Sequence, residues 1–319
     1  MTALIVNGLS FALPLLIIGI GGIYSERSGV TNLALEGLLG FGAFAGGLFV
    51  ALTGGFMVAG SGPQFYLSFV AAAVGGALFS LLHALLCIKL RANQVISGVV
   101  VNIAAMALTG FLTVQLNAAV FGSASNKFLL FTAPRFSVPI LSDIPILGGF
   151  FTNVYTFELL LLALVVVFWF ILYRSRFGLR LRACGDNPQA VDAAGVSVAR
   201  TRLVAVLISG LLSGIGGICF AYSISTNVSP AIYFGAGYLA IAAMIFGNWK
   251  IVPTLGACLI FGFARSAAQQ LVLILKVDSN VTDLAMIVPY VLVLILLVFF
   301  SKSNRAPRAL GSAYDKGER

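Results

Sequence analysis

FELLLLALVVVFWFILY, residues 157–173, carries one charged side chain in an otherwise unbroken apolar run. A bilayer core about 30 Å thick needs about 20 such residues per helix, with about 17 as the lower limit. Similar runs lie at 4–23, 34–53, 65–88, 95–116, 203–223, 253–275 and 283–301. A shorter one, 236–247, is interrupted by glycine and predicts either a broken helix or a re-entrant segment, which lipid tolerates only where protein surrounds it. Counted as a crossing, it gives an all-α polytopic membrane protein of about nine transmembrane segments over residues 1–301, followed by a polar, basic tail at 302–319.

Composition agrees. Of the 319 residues, 60% are hydrophobic and 9% charged, and the mean hydropathy is +1.06. A soluble domain carries roughly 25% charged residues, so a soluble fold could not clothe its own surface. Cys87, Cys184, Cys219 and Cys258 lie far apart without a CxxC pair, which predicts reduced, packed thiols and no metal site. The first apolar run lacks a basic leader and contains Pro14, so it is read as a first membrane helix and not as a signal peptide.

The formal charge of +9 would suggest nucleic acid in a soluble chain; here it reports topology. With nine crossings, one set of loops holds Arg27, Lys89, Arg91, Arg174, Arg176, Arg180, Arg182, Arg200, Arg202, Lys250 and the tail residues Lys302, Arg305, Arg308, Lys316 and Arg319. The opposite set holds Lys127, Arg135 and Lys276, while Arg265 falls inside a span. The richer set is expected in the cytoplasm, which puts the amino terminus outside and the carboxyl terminus inside. The tail is expected to be disordered and to rest on the membrane surface.

Two connections are long. The outer stretch 117–156, with Pro134, Pro139 and Pro145, either meets an external partner or folds over the outer face. The inner stretch 174–202 is the cytoplasmic connection long enough to hold structure. Within it, Asp186 or Asn187 suits an N-cap, Pro188 the first helical position and Gly195 the stop. The result is a helix of about two turns with Ala190, Ala193 and Ala194 on one smooth face. So short a helix is marginal alone: it either docks into a partner's groove or simply connects two spans.

Three stretches carry a family likeness. Arg182-Ala183-x-Gly185-Asp186-Asn187-Pro188-x-Ala190-x-x-Ala193-Ala194-Gly195-Val196 resembles the coupling-loop motif of permease subunits in bacterial ABC importers for branched-chain amino acids, ribose-type sugars and nucleosides. Glu26-Arg27-Ser28-Gly29-Val30-x-Asn32-Leu33-x-Leu35-Glu36-Gly37 resembles the opening signature of its nucleoside and simple-sugar branch. Gly237-Tyr238-x-Ala240-Ile241-Ala242 with Ile245-Phe246-Gly247 resembles the family's segment after the coupling loop. The resemblance implies a type II importer permease in the bacterial inner membrane, with nucleosides as cargo and a simple sugar or branched-chain amino acid as the alternative. It implies one span fewer at the amino terminus than ten-span sugar permeases. The implied partners are a cytoplasmic ATP-binding subunit, a second homologous permease (heterodimer before homodimer) and an extracytoplasmic binding protein. The chain has no GxxxxGK[ST] loop, so ATP and Mg²⁺ belong to the partner subunit. Arg182, Gly185, Asp186, Asn187, Pro188, Ala190, Ala193, Ala194 and Gly195 are the docking candidates.

Polar groups inside a membrane are costly and are functional candidates by default. Asn102, Gln115 and Asn117 in the fourth span, and Arg265 with Gln269 one turn on, are candidates for the substrate path, because a nucleoside's hydroxyls and base edges need amide donors and acceptors. Asn102 could equally bond between helices. Arg265 could line the path, pair with Glu36 or contact a second permease. Arg27, Asn32, Glu36 and Gly37 form a structural or gating motif, with Asn32 as a cap and Glu36 favoured by the helix dipole. His83, the single histidine, is read as a packing residue. Ser209-Gly210-Leu211-Leu212-Ser213-Gly214 spaces small residues four apart, for packing within the chain or for a dimer seam. Residues 33–40 loosely resemble 239–247 in the opposite direction, as an inverted repeat would. The rival classes are weaker. An ion-coupled transporter wants titratable acids near the midplane, and only Glu36, towards one end, is present. An intramembrane enzyme finds no paired acids, His–Cys set or metal spacing.

Overall fold

The computed structural model describes residues 2–139, 142, 147–275, 287–300 and 305–315. The helices are α1 (Thr2–Arg27), α2 (Leu35–Thr53), α3 (Gly62–Ala84), α4 (Gln94–Phe121), α5 (Thr156–Arg174), α6 (Arg176–Asp186), α7 (Pro188–Ala193), α8 (Val198–Phe220), α9 (Ala236–Phe246), α10 (Ile251–Leu275) and α11 (Val288–Phe300). One-turn π segments extend α3 through Lys89 and α8 through Ser225. Among the described residues seven helices are long and apolar enough to cross a membrane: α1–α5, α8 and α10. Helix α9, with 11 residues, is the short segment expected at 236–247, and α11 has 13 described residues. Lys276, the start of the 283–301 run, Lys302, Lys316 and Arg319 lie outside the described residues.

Helices α1, α2 and α8 form the centre, flanked by α3 and α10. The small-residue spacing in α8 is an internal seam. A Cβ on Gly210 would lie 2.4 Å from the Gly76 carbonyl of α3, one on Gly214 would lie 2.2 Å from the Ala72 carbonyl, and one on Gly217 would lie 2.0 Å from the Leu39 carbonyl of α2. The seam is therefore spent on packing within the chain. Helices α4 and α5 keep apolar rows exposed, among them Ile96, Ile103 and Phe111, and Leu162, Val166 and Phe170, where lipid or a partner helix would cover them.

One end of the bundle gathers the ends of α1, α3 and α5 with α6, α7 and the tail. We call it the basic end. At the other end one short antiparallel ladder ties the segment after α4 to the segment after α8, and a second pairs two segments that precede α5. β1 (Phe128–Leu129) pairs with β4 (Asn227–Val228), and β2 (Arg135–Phe136) pairs with β3 (Val154–Tyr155).

The basic end holds more structure than its sequence suggested. The inner stretch holds two helices, because Ser175 caps an amphipathic α6 through Gly178 N–H (3.0 Å) and buries Leu181 and Cys184. Helix α8 starts at Val198 instead of 203, with Ser197 accepting from Arg200 N–H at 3.3 Å. Arg202, read as a loop charge, is 3% exposed and donates to the Ser28 carbonyl at 3.1 Å and the Ser312 carbonyl at 3.0 Å. The tail, read as disordered, is a strap over residues 305–315. Arg305 N–H donates to Asn248 Oδ1 (2.9 Å), Ala309 N–H to the Gly185 carbonyl (2.7 Å) and Gly311 N–H to the Gly29 carbonyl (3.2 Å), while Arg91 pairs with Asp315. Backbone bonds of this kind are obligatory once the groups are covered, and composition does not encode them.

Tyr314 of the strap covers a small cluster of Cys184, Val191 and Val198. Burial pushes the Cys184 thiol above its usual range, which makes it inert. Truncation after residue 304 is expected to open this cluster, so a maleimide should label Cys184 at least tenfold faster than in the full chain. Equal labelling rates would mean the strap does not cover it.

Candidate functional site

The signature residues near the start of the chain hold the two ends of α9. At its amino-terminal end the Glu36 carboxylate, 4% exposed, accepts from Gly235 N–H (2.7 Å) and Gly237 N–H (2.6 Å). Those are the orphan donors of a helix start, where an anion also meets the helix dipole. Glu36 thus caps α9, not its own helix. Gly237 must be glycine, since a Cβ there would lie 2.4 Å from Glu36 N. At the other end Glu26 accepts from Trp249 Nε1–H (2.6 Å), and Arg27 Nε–H donates to the Trp249 carbonyl (3.0 Å). They hold a turn in which Asn248 and Trp249 have φ of 53° and 54°, a left-handed conformation that costs a non-glycine residue about 1 kcal/mol or more.

The rest of the motif is also structural. Asn32 Oδ1 accepts from Ala34 N–H (3.0 Å) and its Nδ2 donates to Ser209 Oγ (2.9 Å). Gly37 N–H donates to Asn102 Oδ1 at 2.7 Å, and Asn102 Nδ2 donates to the Leu33 carbonyl (2.8 Å) and Tyr238 Oη (3.0 Å). Both amide donors of Asn102 are committed to bonds with groups on other segments. Asn117 Nδ2 donates to the Thr113, Ser125 and Lys127 carbonyls and ties down the loop after α4. Gln115 is exposed on the outside of α4. His83 is buried and satisfied: Nε2–H donates to the Thr31 carbonyl (3.0 Å), which leaves Nδ1 to accept from Ser97 Oγ–H (2.9 Å). Cys87, one turn on, lies 3.6 Å from His83 Nδ1, a His–Cys neighbour missed by the sequence reading, with both ring nitrogens already taken.

Arg265 and Gln269 are brought together, in a cavity of about 200 Å³ with Asn7, Ser10, Phe11 and Ser223. The guanidinium lies 4.3 Å from the Phe11 ring centre and 5.3 Å from that of Phe234. It does not pair with Glu36, whose oxygens are spent on α9. Asn7, Phe11 and Ser223 escaped the sequence reading because nothing in their own segments links them to α10.

On the basic end, Asn187 Oδ1 accepts from Ala190 N–H (3.0 Å), Pro188 opens α7 and Gly195 closes it at φ 77°. Pro188 and Val191 face inward; Asp186, Asn187, Ala190, Ala193, Ala194 and Gly195 are exposed. Gly185 and Arg182 are engaged within the chain. Gly185 is buried, and a Cβ there would lie 2.2 Å from the Arg27 carbonyl. Arg182 turns back to the Gly178 carbonyl (3.3 Å) and the Tyr173 ring.

A branched-chain amino acid transport system permease family matches residues 4–297. The chain belongs to this permease family. It is 40% identical to the guanosine ABC transporter permease protein NupQ of Bacillus subtilis, over 98% of this chain and 96% of the relative. It is 38% identical to the nucleoside ABC transporter permease protein NupC of Lactococcus lactis, over 99% and 97%. The guanosine permease protein NupP of Bacillus subtilis is 24% identical over 95% and 82%. No solved structure matches the permease. The relatives are ABC transporter permease subunits, and the expected family likeness is met along nearly the whole chain.

Proposed function

We propose that this permease carries nucleosides into the cell, driven by ATP hydrolysed on a separate cytoplasmic subunit. The observation that carries the reading is its identity, from end to end, with two relatives named as guanosine and nucleoside permeases. Under it the basic end faces the cytoplasm, the amino terminus lies outside, and residues 226–235 with α9 complete a ninth, broken crossing. The exposed face of α7 receives the ATPase, and a second, related permease and an external binding protein complete the importer. The guanosine permeases NupQ and NupP of one organism support a heterodimer.

Competition with labelled guanosine by unlabelled inosine, ribose and leucine, in cells expressing the whole system, tests the cargo. Inosine alone should compete; displacement by ribose or leucine would move the reading to the sugar or amino acid alternative. Uptake that persisted without any ATPase subunit would favour the ion-coupled rival. For the docking face, Ala190→Arg places a long cation on an exposed, small position. It should lower uptake tenfold or more at unchanged membrane level, and unaltered uptake would remove α7 from the coupling interface. Gly185 is unsuited to this test, since its replacement disturbs packing against α1.

A further inference from the structure

The cavity around Arg265 lies between α1, α10 and the π turn that ends α8. Arg265 is 7% exposed, and among the described residues no carboxylate, carbonyl or hydroxyl receives its N–H groups. A cation so little exposed is expensive; the two flanking rings offset part of that cost, and its donor edge opens on the cavity. A second group is orphaned at the same place. Ser223 Oγ is buried without a hydrogen-bond partner, although its neighbour Ser225 donates to the Asn227 carbonyl at 2.7 Å. Ser223 sits in the π turn Ala221–Ser225, a distortion that is frequent at functional sites. The other polar lining, Asn7, Ser10 and Gln269, is neutral. Asn7 is exposed at the mouth and lies 20 residues before Arg27, about 30 Å along the helix from the basic end.

We propose that this cavity reads the base of the cargo and selects 6-oxopurine nucleosides, an inference that rests on the nucleoside reading above. The planar fork of Arg265 matches two adjacent acceptors, and the O6 and N7 edge of a 6-oxopurine offers that pair. Adenine presents an amino donor where O6 would be, so it turns a like group toward the cation. Uracil carries a protonated N3 between its carbonyls and so lacks the second, adjacent acceptor. Phe11 and Phe234 hold the guanidinium from its faces, which leaves its in-plane edge for the base. The Ser223 hydroxyl and the Gln269 amide are placed for the opposite edge of the ring. The volume is below the roughly 300–1,000 Å³ of pockets that enclose a whole drug-sized ligand; it holds the base, with the ribose projecting past Asn7. With one cation among neutral groups, a nucleoside 5′-phosphate gains no partner for its phosphate.

The test is the initial uptake rate of labelled guanosine, inosine, adenosine and uridine in cells expressing the complete importer, with guanosine 5′-monophosphate as a competitor. The unaltered importer should favour guanosine and inosine, and the monophosphate should not compete. Arg265→Gln should lower the guanosine-to-adenosine ratio by about 10- to 100-fold, the discrimination a bidentate arginine provides. Arg265→Lys should recover only part of it. A ratio unchanged by Arg265→Gln, whether both rates fall together or neither does, overturns the assignment, as does competition by the monophosphate. If Arg265→Gln fails to reach the membrane, the same ratio is read in Ser223→Ala and Gln269→Ala, where no shift in either is equally decisive against it. An importer that takes up no nucleoside at all overturns the cargo reading itself, an outcome distinct from nucleoside uptake without selection at Arg265.

Discussion

Glu36→Ala is expected to abolish transport and to lower the stability of the chain by about 3–5 kcal/mol. The substitution leaves the N–H groups of Gly235 and Gly237 without their acceptors in a place that water does not reach. A buried donor stripped of its partner costs about 1–3 kcal/mol, and two are stripped at once. The loss also removes the anion at the start of α9, where helix dipole and charge reinforce each other. Domains have only about 5–15 kcal/mol of net stability, so most of the margin is at stake. Glu36→Gln keeps one acceptor oxygen and should lose roughly half as much. Thermal unfolding in detergent, read beside uptake, measures both variants. An unfolding temperature for Glu36→Ala equal to that of the unaltered chain would show that α9 does not depend on this carboxylate.

Gly217→Ala is expected to do comparable damage by adding a single methyl group. The new Cβ would stand 2.0 Å from the Leu39 carbonyl oxygen, 2.8 Å from its carbon and 3.2 Å from its Cα. All three atoms are backbone, so no side chain can rotate away, and α2 and α8 must part. Overpacking in a close-packed core costs about 1–3 kcal/mol and sometimes more; contact with the main chain of a central helix puts this site at the upper end. Gly256 of α10 is the matched control, because a Cβ there meets nothing within 4 Å. Gly256→Ala should be neutral or stabilising by up to about 1 kcal/mol through helix propensity. The pair is compared by yield of folded protein after detergent extraction, and equal yields would refute the close approach of α2 and α8.

The apolar runs were legible because hydropathy is a property of each segment on its own. Their ends were less so: Arg200 and Arg202 made the first turn of α8 look like loop, and only the packed structure supplies the Ser28 and Ser312 carbonyls that make a buried arginine tolerable. The caps and stop of α7 were readable for the same local reason, since Asn187, Pro188 and Gly195 act within one turn. Which of its neighbours faced inward was not, and Gly185 and Pro188 went to the packed side. Nor was it legible that the Gly37, Leu33 and Tyr238 groups take up the amide of Asn102.

By itself, then, the sequence determined the solvent, the apolar segments, the sharing of charge between the two ends and the short capped helix in the loop, all of which depend on residues close together in the chain. Tertiary structure alone decided the use of each intramembrane polar group. Glu36 and the Gly235 N–H it holds are 199 residues apart, and Arg202 and the Ser312 carbonyl 110. In a medium without water a polar group must find its partner within the protein, and which partner it finds is set by the way distant segments pack.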